Sequence, residues 1–383
     1  MSAAGDWINK VKYDASGDAV LSAFFTSLAD SYDRRLWHQL TNTLEELVAL
    51  PQWEQGDFLL QLYENFVKSC AEHLNQLRLA QLLITISAQH KDLSARIAFL
   101  QKAAANITEP TPSILLRCEA GKHILQQGNI AEAKKLFVES EEQIESLTGV
   151  EPAVYASYYL LSASIQKLTG TAADFYKDIL LYLAYVPLNT VSASRQHEIS
   201  FDVCLSALIG DNVYNFGELL SHPILAVLAG TDDEWIVALL RAFNNGDIAK
   251  YGELQNTYAK QMSAQPTLVK NKVVMEEKIA ILALMELVFG LPAGDRVVSF
   301  DTIAAATQLA ADKVELLVMR ALSQKLIEGI IDQVARTVQV TRVAPRVLDL
   351  EQVAGLRNKF DGWLSKINET HKYLEGEIPE LLA

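Results

Sequence analysis

From Ala19 to about Val288, turn-forming pairs punctuate the chain at intervals of ~35–45 residues. They are Gly56-Asp57, Lys91-Asp92, Gly128-Asn129, Gly170-Thr171, Gly210-Asp211 and Gly246-Asp247. Two share wording, Gly128-Asn129-Ile130-Ala131-Glu132 and Gly246-Asp247-Ile248-Ala249-Lys250. Between the turns apolar residues follow helical periodicity, and β-branched runs are scarce. A recurring unit of two helices and one turn cannot bury its own apolar face, so it must stack on its neighbours. The pattern predicts a mainly α protein, a right-handed α-solenoid of helical hairpins. In one such pair, Ile114 to Gln127 turns Leu115, Cys118, Ile124 and Leu125 inward. Ile130 to Ile144 answers with Ala133, Leu136, Phe137, Ser140 and Ile144.

The pattern changes between Ser299 and Val343. Phe300, Ile303 and Ala304 share one face of a short helix, and a break follows at Gln308-Leu309-Ala310. A second helix is expected from about Asp312 to Lys325, with Val314, Leu317, Val318, Ala321 and Leu322 on one stripe. Gly329 reads as its stop. Ile330 to Val334 and Val338 to Thr341 then read as two short strands joined at Ala335-Arg336. Helix, turn, helix and hairpin is the order of a winged-helix unit. The last strand, Thr337 to Val343, is expected at the edge of the small sheet. It would offer Val338, Val340 and Arg342 to a partner. Ala310 stands where a Ser or Thr cap is expected, which leaves the start of the second helix weakly marked.

A winged helix raises the possibility of a nucleic-acid-binding protein, and charge argues against it. Lys313, Arg320, Lys325, Arg336 and Arg342 are balanced by Asp301, Asp312, Glu315, Glu328 and Asp332. The second helix carries Glu315, Met319, Arg320 and Gln324 on its outer face, too few cations to neutralise phosphates. The whole chain carries a formal charge of −14, which disfavours nucleic acid and anionic membrane alike. Cys70, Cys118 and Cys204 are far apart in helical contexts, which points to a reducing compartment. Residues 1–18 read as a flexible N-terminus without a secretory signal.

No motif for catalysis appears. The chain has no H-E-x-x-H, no phosphate-binding glycine loop, no G-x-S-x-G elbow and no histidine paired with cysteine at zinc-ligand spacing. No enzyme, metal or cofactor is expected. Thr231-Asp232-Asp233-Glu234 resembles an acidic metal site, but Thr231 with Glu234 also spells a capping box before Trp235-Ile236-Val237. Tyr155, Tyr158, Tyr159, Tyr176, Tyr182 and Tyr185 lack interleaved cations and read as core rather than as a base-stacking surface. After Pro345 one helix is expected to close the chain. Val353, Leu356, Phe360, Trp363, Ile367, Thr370 and Leu374 alternate at spacings of three and four, a heptad seam.

Helical repeats running into a winged helix and a terminal helix resemble the PCI family, the scaffold of the proteasome lid, the signalosome and a large translation initiation complex. Local wording is similar to a PCI subunit of the lid: Leu36 to Thr41, Leu62 to Phe66, Tyr214 to Leu225, Val314 to Met319 and Pro345 to Leu350. Within Tyr214 to Leu225, Phe216, Leu219 and Leu220 make a buried stripe and His222-Pro223 ends the helix, so this wording is packing rather than chemistry.

The resemblance implies helical repeats over 19–172 and a PCI domain over 173–344. The latter divides into a helical part, 173–290, and a winged helix, 291–344; a bundle helix follows over 345–383. It implies a non-catalytic scaffold subunit serving ubiquitin-dependent degradation, in the cytoplasm and nucleus. Lid subunits would be contacted through winged-helix pairing and a C-terminal helical bundle, near a deubiquitinase and a ubiquitin-receptor subunit. The bundle contacts would come from Val353, Leu356, Phe360, Trp363, Ile367 and Leu374. A scaffold subunit of the signalosome or of the initiation complex is the alternative.

Overall fold

In the computed structural model, residues 3–14, 19–50, 57–291, 296–347 and 350–377 are described. The chain is 76% helical, and the described residues form one three-stranded sheet. It divides into two compact units, residues 1–191 and 192–383.

The first unit contains α1 (Ala3–Asp14), α2 (Ala19–Asp33), α3 (Trp37–Val48), α4 (Phe58–Leu62) and α5 (Lys68–Cys70). It continues with α6 (Gln76–Ser87), α7 (Leu93–Asn106), α8 (Pro110–Gln126), α9 (Ile130–Ser146), α10 (Pro152–Thr169) and α11 (Ala172–Tyr185). One contiguous apolar core runs through it, from Ile8 to Ile165. Residues 3–14 are not the loose arm expected from sequence. Trp7 and Ile8 are adjacent and Val11 lies one turn on from Trp7, which is enough to make one helical face. Ile8 is buried and Trp7 stacks on Phe58 at 6.2 Å.

The repeated turn wording has a structural cause. After α8, Gly128 adopts φ 87°, its N–H bonds to Leu125 O, and Asn129 N–H reaches back to Ile124 O. This double closure satisfies the last carbonyls of the helix, and the positive φ favours glycine. The Asn129 side chain then caps α9 by accepting from Glu132 N. Asp92 and Thr171 cap α7 and α11 in the same manner.

The second unit begins with α12 (Ala193–Ile209), α13 (Gly217–Ser221), α14 (Glu234–Asn244) and α15 (Ile248–Thr257). Then come α16 (Ala259–Ser263), α17 (Pro266–Lys270) and the long α18 (Lys272–Gly290). The α14–α15 turn repeats the first unit's device: Gly246 at φ 63°, Asp247 N–H to Ala242 O, and the Asp247 carboxylate accepting from Lys250 N. The capping box expected at Thr231 forms differently. Asp233 is the N-cap residue without a side-chain bond, Glu234 accepts from Gly230 N, and the Thr231 hydroxyl donates to Leu228 O. Asp233 also lies 3.4 Å from His197.

The winged unit is built from β1 (Val297–Ser299), α19 (Phe300–Thr307), α20 (Ala311–Ser323), β2 (Ile327–Asp332) and β3 (Thr337–Val343). Ser299 caps α19 by accepting from Thr302 N, and Gln308 leaves it in the left-handed region at φ 53°. Ala310 precedes α20 with no side-chain cap. The stop of α20 is not Gly329. Lys325 takes the left-handed position at φ 57°, with Lys325 N–H on Leu322 O and Leu326 N–H on Ala321 O. Gly329 lies inside β2 at a bulge, where a Cβ would collide with Gln339 O. Residues 344–347 leave the sheet, and α21 (Leu350–Glu377) ends the described chain. Among the described residues, no helix is long and apolar enough to cross a membrane.

Candidate functional site

The sheet order is β1-β3-β2, with both pairings antiparallel. Thr337–Val343 is therefore the central strand, and its reading as a free edge is corrected. The three-residue β1, absent from the sequence reading, pairs Val297 with Gln339 and Val298 with Val338. Val338 is 1% exposed and Val340 3%. Both belong to the core of the wing and cannot meet a partner. Arg342 is exposed and donates to Glu328 at 3.0 Å, across the β2–β3 pair. Among the described residues, the strands with unpaired outer edges are β1 and β2. On β2, Ile330 is 69% exposed, and Val334 in the following turn is exposed as well. Here an apolar side chain stands on an open edge, a combination that natural sheets usually blunt.

A second apolar surface lies on α20. Its inner stripe, Val314, Leu317, Val318 and Ala321, is buried, while Leu316 and Met319 face outward. With Val273, Ala280 and Leu309, Leu316 lines a groove of about 340 Å³. Lys313 and Arg320 stand on its rim, and Arg320 is paired with Glu277. The helix that would read a duplex thus offers leucine and methionine, with one of its few cations neutralised. Neutralising phosphates takes several free cations, and this face carries few.

The third surface is α21. Every described side chain from Val353 to Leu374 is exposed, so the whole seam is open to solvent. Phe360 and Trp363 touch edge to face at 6.1 Å, and Trp363 remains 66% exposed. A stripe of six large apolar side chains on a 28-residue helix is far more exposed apolar area than a soluble monomer carries without reason. The described segment ahead of the helix is anchored. Arg346 donates to Asn244 O and pairs with Glu286, and Val347 N–H donates to Asn215 Oδ1.

The remaining candidates are structural. Cys70, Cys118 and Cys204 are buried, and burial pushes their thiols up to about 11, 12 and 12, so they stay protonated. No cluster of three or more His, Cys, Asp or Glu able to hold a metal occurs among the described residues. Tyr158, Tyr176 and Tyr182 are buried, as expected of core. Tyr155, Tyr159 and Tyr185 are half-buried with nearly parallel rings, 5.2–6.3 Å apart.

Comparison with known proteins agrees with this picture of a scaffold. The profile of PSD13 N-terminal repeats matches residues 24–240, and that of the PCI domain matches residues 255–342. The 26S proteasome non-ATPase regulatory subunit 13 homolog A of Arabidopsis thaliana is 41% identical, over 95% of this chain and 96% of its own length. The 26S proteasome non-ATPase regulatory subunit 13 of Dictyostelium discoideum is 32% identical over 95% of each chain. The probable 26S proteasome regulatory subunit rpn9 of Schizosaccharomyces pombe is 34% identical, over 93% of this chain and 92% of its own. By these similarities the chain belongs to the family of 26S proteasome non-ATPase regulatory subunit 13, with its N-terminal repeats and PCI domain.

Proposed function

We propose that this chain is a non-catalytic structural subunit of the proteasome regulatory particle, in its lid, and acts by holding other subunits in place for ubiquitin-dependent degradation. The observation that carries the reading is the exposed seam of α21. Burying one large apolar side chain contributes ~1.5–3 kcal/mol, and six such side chains stand in water here. Most helical stability in a protein comes from packing an apolar face rather than from propensity, and Gly355 and Gly362 lower the propensity of this helix. The stripe is an interface awaiting partner helices. The outer edge of β2, with Ile330, and that of β1 supply a second contact, where a neighbour's strand would extend the sheet. Chemistry has no support in the site: the thiols are protonated and the carboxylates are dispersed over helix faces. Proximity to the lid deubiquitinase and to a ubiquitin-receptor subunit, and residence in cytoplasm and nucleus, belong to the same proposal.

The test is affinity purification of the tagged full chain, with mass spectrometry of what comes with it and assays for ATP, peptide and ubiquitin-conjugate turnover. Co-purification of proteasome regulatory subunits, with no turnover by the isolated chain, is the expected result. Recovery with translation initiation or signalosome subunits instead, or turnover that follows the chain through purification, would overturn the proposal.

A further inference from the structure

Charge along α21 is sorted by position around the seam. Val353, Phe360, Ile367 and Leu374 occupy one seam position of the heptad, and Leu356, Trp363 and Thr370 the other. The positions that flank a seam, and face the flanks of any helix packed on it, hold Arg357, Lys359, Lys366 and His371, together with Gln352, Leu364 and Tyr373. No carboxylate stands there. Asp361 and Glu369 lie away from the seam, on the outer half of the helix, with Lys372. Arg357, Lys359 and Lys366 are exposed and form no ion pair among the described residues. This sorting occurs in a chain whose formal charge is −14, so it does not follow from composition.

Resting on the reading of α21 as a docking helix, we infer that its partner is an amphipathic helix whose apolar seam is flanked by Asp and Glu. A second copy of this chain is disfavoured by the same residues. Two antiparallel copies would set Lys359 and Lys366 against the same lysines of the other helix, and Arg357 and His371 likewise. Two parallel copies would set Lys359 beside Leu364 and Lys366 beside His371, and would gain no pair of opposite charges. Like charges across a seam select against self-pairing, while opposite charges fix register and orientation. The apolar seam supplies affinity, and the cationic flanks choose which helix is admitted.

The test uses the full chain and two synthetic helical peptides matched to α21 in length, with one common apolar seam. One peptide carries Glu at every flanking position and the other Lys. Binding is followed by isothermal titration calorimetry. The Glu peptide is expected to bind at least about tenfold more tightly than the Lys peptide. That preference should shrink as salt shortens the screening length. The triple variant Arg357→Glu, Lys359→Glu, Lys366→Glu should reverse it, while Asp361→Lys on the outer half should leave it unchanged. Equal affinity for both peptides, or an unaltered preference in the triple variant, overturns the inference. So does a full-chain dimer in sedimentation equilibrium that Trp363→Asp dissociates. Incorporation into reconstituted regulatory particle separates this inference from the reading beneath it. If Trp363→Asp incorporates normally, α21 does not dock and the underlying reading fails. If Trp363→Asp is excluded but the triple variant enters as well as wild type, only the charge inference fails. Exclusion of both, with circular dichroism unchanged, supports it.

Discussion

The ammonium nitrogen of Lys278 lies 2.7 Å from the carbonyl oxygen of Ala207, and also donates to Leu208 O and Gly210 O at 3.2 and 2.9 Å. A lysine on α18 thereby closes the carbonyl end of α12, where unsatisfied acceptors and the helix dipole both favour a cation. The rings of Tyr214 and Phe216 cover it, 5.6 and 5.1 Å from its nitrogen. Lys278 is 3% exposed, so removal of its donors leaves buried carbonyls unpaired. Lys278→Met should cost about 1–3 kcal/mol despite the apolar replacement. Urea denaturation of the two proteins measures it.

The same lysine gives a pH dependence. Burial pushes Lys278 down to about 7, against a smaller upward pull from Asp211. In the unfolded chain the amine keeps its proton to ~10.4. Between about 7 and the unfolded value the unfolded state therefore binds more protons, and stability from this group rises with pH. Below about 7 both states are protonated and the slope vanishes. Relative to Lys278→Met, wild type should gain stability from pH 7 toward pH 10. A flat difference across that range would show that the three carbonyls hold the ammonium form throughout.

Two glycines with the same local wording separate backbone strain from close packing. Gly128 has open space around it, whereas an added Cβ at Gly246 would sit 2.7 Å from Ala283 Cα on α18. Gly128→Ala should cost only the left-handed penalty, ~1–2 kcal/mol. Gly246→Ala should cost clearly more, because a helix backbone must move. Thermal melts of both variants check the order.

These turns were legible in the sequence because their causes are local: a glycine for positive φ, then Asn or Asp to cap. The α21 helix was legible for the same reason, since helical spacing is written in consecutive residues. The order of the sheet was not. β1 is three residues long and its partner Val338 lies far along the chain, so no local pattern makes β3 central. Val297-Val298 immediately before the Ser299 cap was the available signal. The end of α20 was misassigned because glycine is the usual left-handed residue, yet Lys325 takes that position and Gly329 serves close strand approach instead.

Strand order makes opposite predictions for two neighbours in the wing. Val340 N–H donates to Arg296 O at 2.9 Å, inside the sheet. Val340→Pro removes that donor from a central strand and should unfold the winged unit, at a cost on the order of 3 kcal/mol or more. Ile330→Lys changes an exposed side chain on the outer strand and should stay within about 0.5 kcal/mol of wild type. It should nevertheless weaken assembly, since lysine on an edge discourages strand addition. Stability by chemical denaturation, compared with incorporation into regulatory particle, decides whether the edge docks.

Truncation isolates the terminal helix. A chain ending at Val347 retains the anchors of Arg346 on Asn244 O and of Val347 on Asn215. It loses side chains that, from Val353 to Leu374, are all exposed. Because those side chains cover no core, the truncated chain should melt at the temperature of the full chain. Because they are the proposed interface, it should fail to enter the regulatory particle. Gly362→Ala is the complementary change: an alanine on the outer half of α21, where nothing lies within 4 Å, should raise helix stability by ~0.5–1 kcal/mol without altering the seam. Preformed helix lowers the ordering cost of docking, so this variant should assemble at least as well as wild type. A lower melting temperature for the truncated chain with normal incorporation would mean that α21 supports its own subunit rather than its neighbours.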